Sequence, residues 1–95
     1  MGKLVHFQAD GSMLEIKLDR QRITIGRRPD NDVCLPYPAV SGEHAAIITI
    51  LNDSFIEDLG STNGTTLNRT KVSAPARMKK GDRLQVGKTV LEVQS

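Results

Sequence analysis

The chain has 95 residues, which allows one small domain, and 38% of them are hydrophobic, enough for one modest core. Thirteen Lys and Arg against eleven Asp and Glu leave a net charge of +2, too little to predict bulk attraction to nucleic acid. No run approaches the roughly 18 apolar residues of a membrane span, and the first residues lack the apolar core of a signal peptide. We therefore expect a single cytoplasmic, monomeric domain over residues 1–95, with its core at about 4–93, either whole or part of a longer protein.

The chain has too few cysteines and histidines for a fold that depends on disulfide bonds or on a structural metal ion. The single cysteine, Cys34, excludes an internal disulfide, and two histidines do not suggest a structural zinc site. We expect no metal and no cofactor, and we expect Cys34 to be a small buried hydrophobe.

The patterns of apolar and polar residues predict short β-strands. Val, Ile and Thr are β-branched and occur seven times each, which favours strands. Residues 4–7 and 13–18 are predicted to form a hairpin, because residues 10–12 are typical of a turn. Residues 14–18 alternate between apolar and polar, as in a half-buried strand.

Further strands are predicted along the rest of the chain, at residues 23–25, 33–35, 45–51, 55–59, 65–67, 84–86 and 91–93. Residues 45–51 have apolar residues at both odd and even positions, which is typical of a central strand buried on both faces. The last two strands flank Gly87 and Lys88 and are predicted to form a closing hairpin. About ten or eleven short strands in all predict an all-β sandwich of mostly antiparallel strands.

Polar residues concentrate in two loops, residues 26–44 and 58–65. Arg27 follows the core residue Ile25 by two positions, so strand alternation would turn its side chain toward the core. An arginine is rarely buried without a partner. We therefore expect Gly26 to end its strand and Arg27 to emerge at the rim of the sandwich. A rim arginine beside hydroxyls and free backbone N–H groups, with no obvious catalytic base, suits a phosphate group.

Three motifs, in this order and at these separations, resemble the forkhead-associated (FHA) domain: Gly26-Arg27, Ser41-x-x-His44 and Ser61-Thr62-Asn63-Gly64-Thr65, the last preceded by Asp58-Leu59-Gly60. Each motif alone is weak, but together they form a highly specific signature, and the resemblance covers essentially the whole chain. It implies an eleven-stranded β-sandwich whose loops at one end bind phosphothreonine peptides.

The resemblance also implies which residues bind the ligand. Arg27 matches the family's phosphate-binding arginine, and Ser41 matches a serine that donates its hydroxyl to the phosphate. Gly42 fills the next position, where many relatives have a basic or polar side chain, and offers its N–H instead. Thr62 matches a residue that contacts the phosphate or the phosphothreonine main chain. Asn63 matches an amide that holds the peptide backbone beyond the phosphothreonine.

Other residues are implied to support the site rather than to touch the ligand. His44 matches a histidine that braces the loops by hydrogen bonds, and three glycines match positions that need room or a positive φ: Gly26, Gly60 and Gly64. Arg28 either adds to the electric field at the phosphate or is simply solvated. Tyr37 either covers the peptide groove as a lid or fills the space inside its own loop.

The leading interpretation is a non-catalytic signalling module that binds phosphothreonine in proteins or peptides phosphorylated by a Ser/Thr kinase. The alternative is a domain of the same fold that recognises an unphosphorylated partner surface through the same loops or a sheet face. For Arg27 alone, the competing interpretation is an ordinary rim arginine paired with Asp30 or Asp58. A Ser41–His44 nucleophile pair lacks a residue to orient the base and an oxyanion motif, so we expect no enzyme. Nucleic-acid binding would need a basic stripe with aromatic side chains, and the chain has only two Phe and one Tyr.

Overall fold

The computed structural model describes residues 2–94, which form strands joined by turns and loops. The strands in this part of the chain are β1 (Lys3–Phe7), β2 (Met13–Lys17), β3 (Arg22–Gly26), β4 (Val33–Cys34), β5 (Ala45–Ile50), β6 (Asp53–Asp58), β7 (Thr65–Leu67), β8 (Thr70–Lys71), β9 (Ala76–Met78), β10 (Arg83–Val86) and β11 (Thr89–Gln94). Across residues 2–94, no helix is long and apolar enough to cross a membrane.

Two sheets pack into the sandwich that the sequence predicts. One sheet has the strand order β2-β1-β11-β10-β7-β8, and the other has the order β4-β3-β5-β6-β9. All neighbouring strands run antiparallel except β3 and β4, which run parallel. The hairpins β1–β2 and β10–β11 form as predicted.

The core consists of the inward side chains of both sheets. Ile25 and Ile47 from one sheet and Leu84 and Leu91 from the other are fully buried and belong to one contiguous apolar cluster. Burial of side chains of this size contributes about 1.5–3 kcal/mol each, which makes this cluster the main stabilising contact between the sheets.

The strand predicted at residues 45–51 is found as β5 at residues 45–50, but burial on both faces holds only for its first half. Ala45, Ala46 and Ile47 are buried, but Ile50 is exposed and ends β5. Leu51 has a φ of 57° and lies in the turn to β6, almost completely exposed. The apolar pattern makes the strand one residue too long, because Leu51 belongs to the hairpin turn between β5 and β6.

The expectation that Cys34 is buried is wrong. β4 is a two-residue edge strand in which Val33 is buried and Cys34 is exposed, as side-chain alternation requires. The thiol of Cys34 donates a hydrogen bond to the backbone oxygen of Arg27 at 3.4 Å.

Antiparallel pairing brings the two polar loops together. Ile25 near the end of β3 pairs with Ala45 at the start of β5, and Ala45 pairs with Asp58 at the end of β6. The β3–β4 loop (residues 27–32), the β4–β5 loop (residues 35–44) and the β6–β7 loop (residues 59–64) therefore meet at one end of the sandwich. Here we call this the loop end.

Replacing Ile47 with Ala should lower the free energy of unfolding by about 2–5 kcal/mol, because the side chain is fully buried between the sheets. Ile50→Ala is the matched control: the same residue type in the same strand is 59% exposed, so its loss should be close to zero. Urea denaturation of both variants provides the measurement. Equal losses would contradict the assignment of the core.

Candidate functional site

Arg27 lies directly after β3 at the loop end and is exposed. Its backbone N–H donates to the oxygen of Ser41 at 2.9 Å, which extends the contact between β3 and β5 into the loops. Within residues 2–94 its guanidinium takes part in no ion pair, because Asp30 pairs with Arg28 and Asp58 is bound by its own loop. The guanidinium fork of Arg27 is thus free to bind an incoming anion.

Gly26 provides the close approach of the loops beneath Arg27. A Cβ at this position would lie 2.2 Å from the oxygen of Gly42 and 2.6 Å from Nδ2 of Asn31. Both distances are far below van der Waals contact, so Gly26 is required for room rather than for a positive φ.

A buried imidazole joins the β4–β5 loop to the β6–β7 loop. His44 is fully buried, and its Nδ1 accepts the N–H of Ser41 at 3.0 Å. This bond places the ring proton on Nε2, which donates to the oxygen of Gly64 at 2.8 Å. Both ring nitrogens are occupied, so His44 braces the site and has no nitrogen left for a ligand or for base catalysis.

The hydroxyl of Ser41 forms a second link between the same two loops. Its Oγ accepts the N–H of Thr62 at 3.0 Å, which leaves the hydroxyl proton of Ser41 available to donate. Thr62 itself is exposed. In the described part of the chain, the N–H of Gly42 donates to no protein acceptor. The hydroxyl of Ser41 and the N–H of Gly42 lie in the β4–β5 loop, where the Ser41 oxygen also accepts the backbone N–H of Arg27.

Asn63 is held in place with part of its amide unused. Its Nδ2 donates to the oxygen of Ala39 at 2.8 Å. One N–H and the amide oxygen remain, so Asn63 can still offer a donor and an acceptor to a peptide backbone. Gly64, which follows it, has a φ of 84°, and Gly60 has a φ of 78°, so both glycines stand where other residues would be strained.

Asp58 organises the β6–β7 loop, a role that sequence reasoning missed. Its carboxylate accepts the N–H groups of Gly60 and Ser61 at 3.0 and 3.1 Å, and the hydroxyls of Ser61 and Thr65 at 2.6 and 2.7 Å. Burial raises the pKa of the Asp58 carboxyl, but these hydrogen bonds outweigh burial and hold the pKa below its usual value. The signal was an Asp two residues before a Gly and three before a Ser, the pattern of an Asx turn.

Asn31 is a second supporting residue that the sequence did not reveal. Its Nδ2 donates to the backbone oxygens of Arg28 at 2.9 Å and Gly42 at 2.7 Å. These bonds tie the β3–β4 loop to the β4–β5 loop. The contact spans eleven residues, and no local pattern marks it.

Tyr37 packs against His6 from the β4–β5 loop. Its ring meets that of His6 edge to face, with the centroids 6.3 Å apart and an interplanar angle of 67°. The two side chains line a shallow hollow with Ala39, the residue that accepts the hydrogen bond of Asn63.

The loop end therefore presents a guanidinium, hydroxyls and an amide on a braced frame. The carboxylate of Asp58 accepts the hydroxyls of Ser61 and Thr65, and in residues 2–94 it forms no ion pair with Arg27. No group of three His, Cys, Asp or Glu side chains in residues 2–94 could hold a metal ion. Such a set of donors suits a tetrahedral oxyanion.

Comparisons with known proteins show which family the sequence matches. The family model of the FHA domain matches residues 23–87. The FHA domain-containing protein FhaB of Mycobacterium tuberculosis is 38% identical over 79 residues, which cover 83% of this chain and 51% of FhaB. This chain spans about half the length of the curated relatives it matches.

Solved structures give the same result for the fold. The FHA domain of the CT664 protein from Chlamydia trachomatis superposes with a TM-score of 0.92 at 26% identity, covering 99% of this chain and 96% of that one. A structure from a study of phosphothreonine-dependent FHA domain interactions superposes with a TM-score of 0.85 at 28% identity, covering 99% and 95%.

Asp58→Asn should lower the free energy of unfolding at pH 7 by about 1–3 kcal/mol, because the part-buried donors of Ser61 and Thr65 lose a charged acceptor. The folded carboxyl has a lowered pKa, so its contribution is complete above about pH 4 and is lost as the pH falls through the folded pKa. The deficit of the variant should therefore shrink between pH 7 and pH 3 in urea denaturation.

Asp53→Asn is the control for this measurement, since the Asp53 side chain is about half exposed and pairs with Arg77 at the surface. It should change stability by less than about 1 kcal/mol. A deficit of Asp58→Asn that stays the same at both pH values would show that the carboxylate does not hold the loop as described.

Proposed function

Because this chain belongs to the FHA domain family, we propose that its loop end binds phosphothreonine in a partner protein or peptide, without catalysis. The observation that carries the proposal is the guanidinium of Arg27, which has no ion pair in the described residues and is joined through its backbone to Ser41. A doubly charged phosphate binds such a fork with two parallel hydrogen bonds.

Each remaining group of the site has a proposed role. Ser41 donates its hydroxyl to the phosphate, since its oxygen already accepts the N–H of Thr62. Gly42 donates its backbone N–H to the phosphate. Thr62 contacts the phosphate or the phosphothreonine main chain. Asn63 holds the peptide backbone after the phosphothreonine with its remaining donor and acceptor.

The proposal includes the oligomeric state and location of this domain and the kind of protein that it binds. Residues 1–95 act as a single, monomeric domain in the cytoplasm, and the ligand is a protein phosphorylated by a Ser/Thr kinase. Its phosphothreonine segment must be accessible as an extended peptide to reach loops at the end of a sandwich. The net charge of +2 assists encounter with an anionic segment only weakly, so recognition depends on the local donors.

Calorimetry with one threonine peptide, with and without its phosphate, tests the proposal. We expect binding only of the phosphorylated form. Equal binding of both forms would contradict the proposal and would favour recognition of an unphosphorylated surface.

Arg27→Ala should weaken phosphopeptide binding roughly 10- to 100-fold, the loss expected for a charge-assisted hydrogen bond of about 1.5–3 kcal/mol. The fold should stay intact, because the side chain is exposed at the loop end. Arg27→Lys should restore little, since an ammonium group cannot reproduce the fork. Arg77→Ala removes another exposed arginine, paired with Asp53, and should leave the affinity unchanged. Wild-type affinity in Arg27→Ala would disprove the site.

Phosphothreonine should bind at least about fivefold more tightly than phosphoserine in the same peptide. The two offer identical phosphates and differ by one methyl group, whose burial contributes about 0.8 kcal/mol, or about fourfold. The branched Cβ of threonine also restricts χ1, so less freedom is lost on binding. Indistinguishable affinities in calorimetry would leave a general phosphate site without selection of threonine.

A further inference from the structure

Arg28 occupies the space that a side chain at residue 42 would fill. A Cβ on Gly42 would lie 2.9 Å from Cδ and 3.2 Å from Cγ of Arg28. Both distances are shorter than carbon atoms tolerate in van der Waals contact. The aliphatic stem of Arg28 therefore lies directly against Gly42, and only a glycine leaves it there.

The backbone of Arg28 is fixed in this position. Its N–H donates to the oxygen of Gly42 at 3.3 Å, and its own oxygen accepts the side-chain amide of Asn31 at 2.9 Å and the backbone N–H of Asn31 at 3.2 Å. Asn31 also binds the oxygen of Gly42. Arg28 and Gly42 thus form one unit, and the start of the Arg28 side chain is set by the same bonds that hold the loops.

The head of Arg28 is already engaged with a carboxylate. Its Nη2 lies 3.4 Å from Oδ2 of Asp30, and the two side chains are 61% and 64% exposed. An ion pair this exposed is weak and easily exchanged for another carboxylate. Glu43, next to Gly42, is exposed and forms no ion pair with Arg28 in the described residues.

Arg28 and Asn63 touch the β4–β5 loop on either side of Ser41. Asn63 binds Ala39, two residues before Ser41, whereas Arg28 covers Gly42, directly after it. A peptide whose phosphate binds at Ser41 would pass Asn63 on one flank and Arg28 on the other.

We propose that Arg28 reads an acidic side chain of the bound peptide on the flank of the phosphothreonine away from Asn63, and that Gly42 makes this possible by leaving room for the Arg28 stem. The inference rests on the proposed phosphothreonine function. Since Asn63 is proposed to hold the backbone after the phosphothreonine, the acidic residue precedes it. Asp30 occupies Arg28 in the free domain and is displaced by the peptide carboxylate.

The test uses synthetic phosphothreonine peptides that are otherwise uncharged. A single Glu is placed in turn at each of three positions before and three positions after the phosphothreonine, and each peptide is paired with its Gln counterpart. The readout is the ratio of Glu to Gln affinities by calorimetry at low salt. This ratio cancels effects on the phosphate itself, so it separates reading of the carboxylate from general loss of binding.

For wild type we expect a ratio of about two- to fivefold at one or more preceding positions and about one at the following positions, the size of an exposed ion pair. Arg28→Ala should reduce it to about one, and Asp30→Asn should raise it because the internal competitor is gone. Gly42→Ala should reduce the ratio of Glu to Gln affinities, because the new side chain displaces the Arg28 stem. In a chain that already carries Arg28→Ala, Gly42→Ala should reduce this ratio no further. Arg77→Ala, another exposed and ion-paired arginine, should leave the ratio unchanged.

Other results would overturn the inference. A wild-type ratio of about one at every position, or a preference that survives Arg28→Ala, would show that Arg28 does not read a carboxylate. Equal weakening of Glu and Gln peptides by Arg28→Ala would assign Arg28 to the phosphate instead. A neutral phosphopeptide that binds no better than its unphosphorylated form would overturn the proposed function and this inference with it.

Discussion

The loop end of this sandwich depends on the imidazole of His44. It is fully buried, and its two nitrogens bind Ser41 in the β4–β5 loop and Gly64 in the β6–β7 loop. A buried ring nitrogen without a partner costs free energy, so the two loops can close over His44 only at the spacing that satisfies both nitrogens. That spacing also lets the N–H of Thr62 reach the hydroxyl of Ser41.

The hydrogen-bonded frame of the loops and the groups proposed to bind the ligand are separate sets of atoms. The side chains of Asp58 and Asn31 form hydrogen bonds within and between the loops. Three other groups keep hydrogen-bonding capacity for a ligand: the guanidinium of Arg27, the hydroxyl proton of Ser41, and one N–H and the oxygen of the Asn63 amide. Internal hydrogen bonds of the frame fix the donors before a ligand arrives, so less conformational entropy is lost on binding. The site therefore needs neither a strongly positive domain nor a deep pocket to select a phosphate.

The sequence predicts the family and the architecture because its signals are local. Alternating apolar residues locate most strands. Arg27 is predicted at the rim because its parity points to the core, where an arginine is rarely buried without a partner. The family resemblance is confirmed by the match over residues 23–87. The sequence analysis does not predict the short edge strands β8 and β9, because β8 is two exposed polar residues and β9 is a single short apolar–charged–apolar triplet. The bonds of Asn31 and the contact of Arg28 with Gly42 join distant segments, which periodicity cannot reveal. Binding roles of the individual site residues remain predictions.

The most direct test of the central claim is an NMR titration that follows the backbone amides and the arginine side-chain Nε–H groups with one threonine peptide, phosphorylated and unphosphorylated. A phosphate held between the two loops predicts large shifts at the Arg27 Nε–H, the backbone N–H of Gly42 and the side-chain amide of Asn63 with the phosphorylated peptide alone. Shifts that are the same with both peptides, or that spare Arg27 and cluster on an outer sheet surface, would contradict the account.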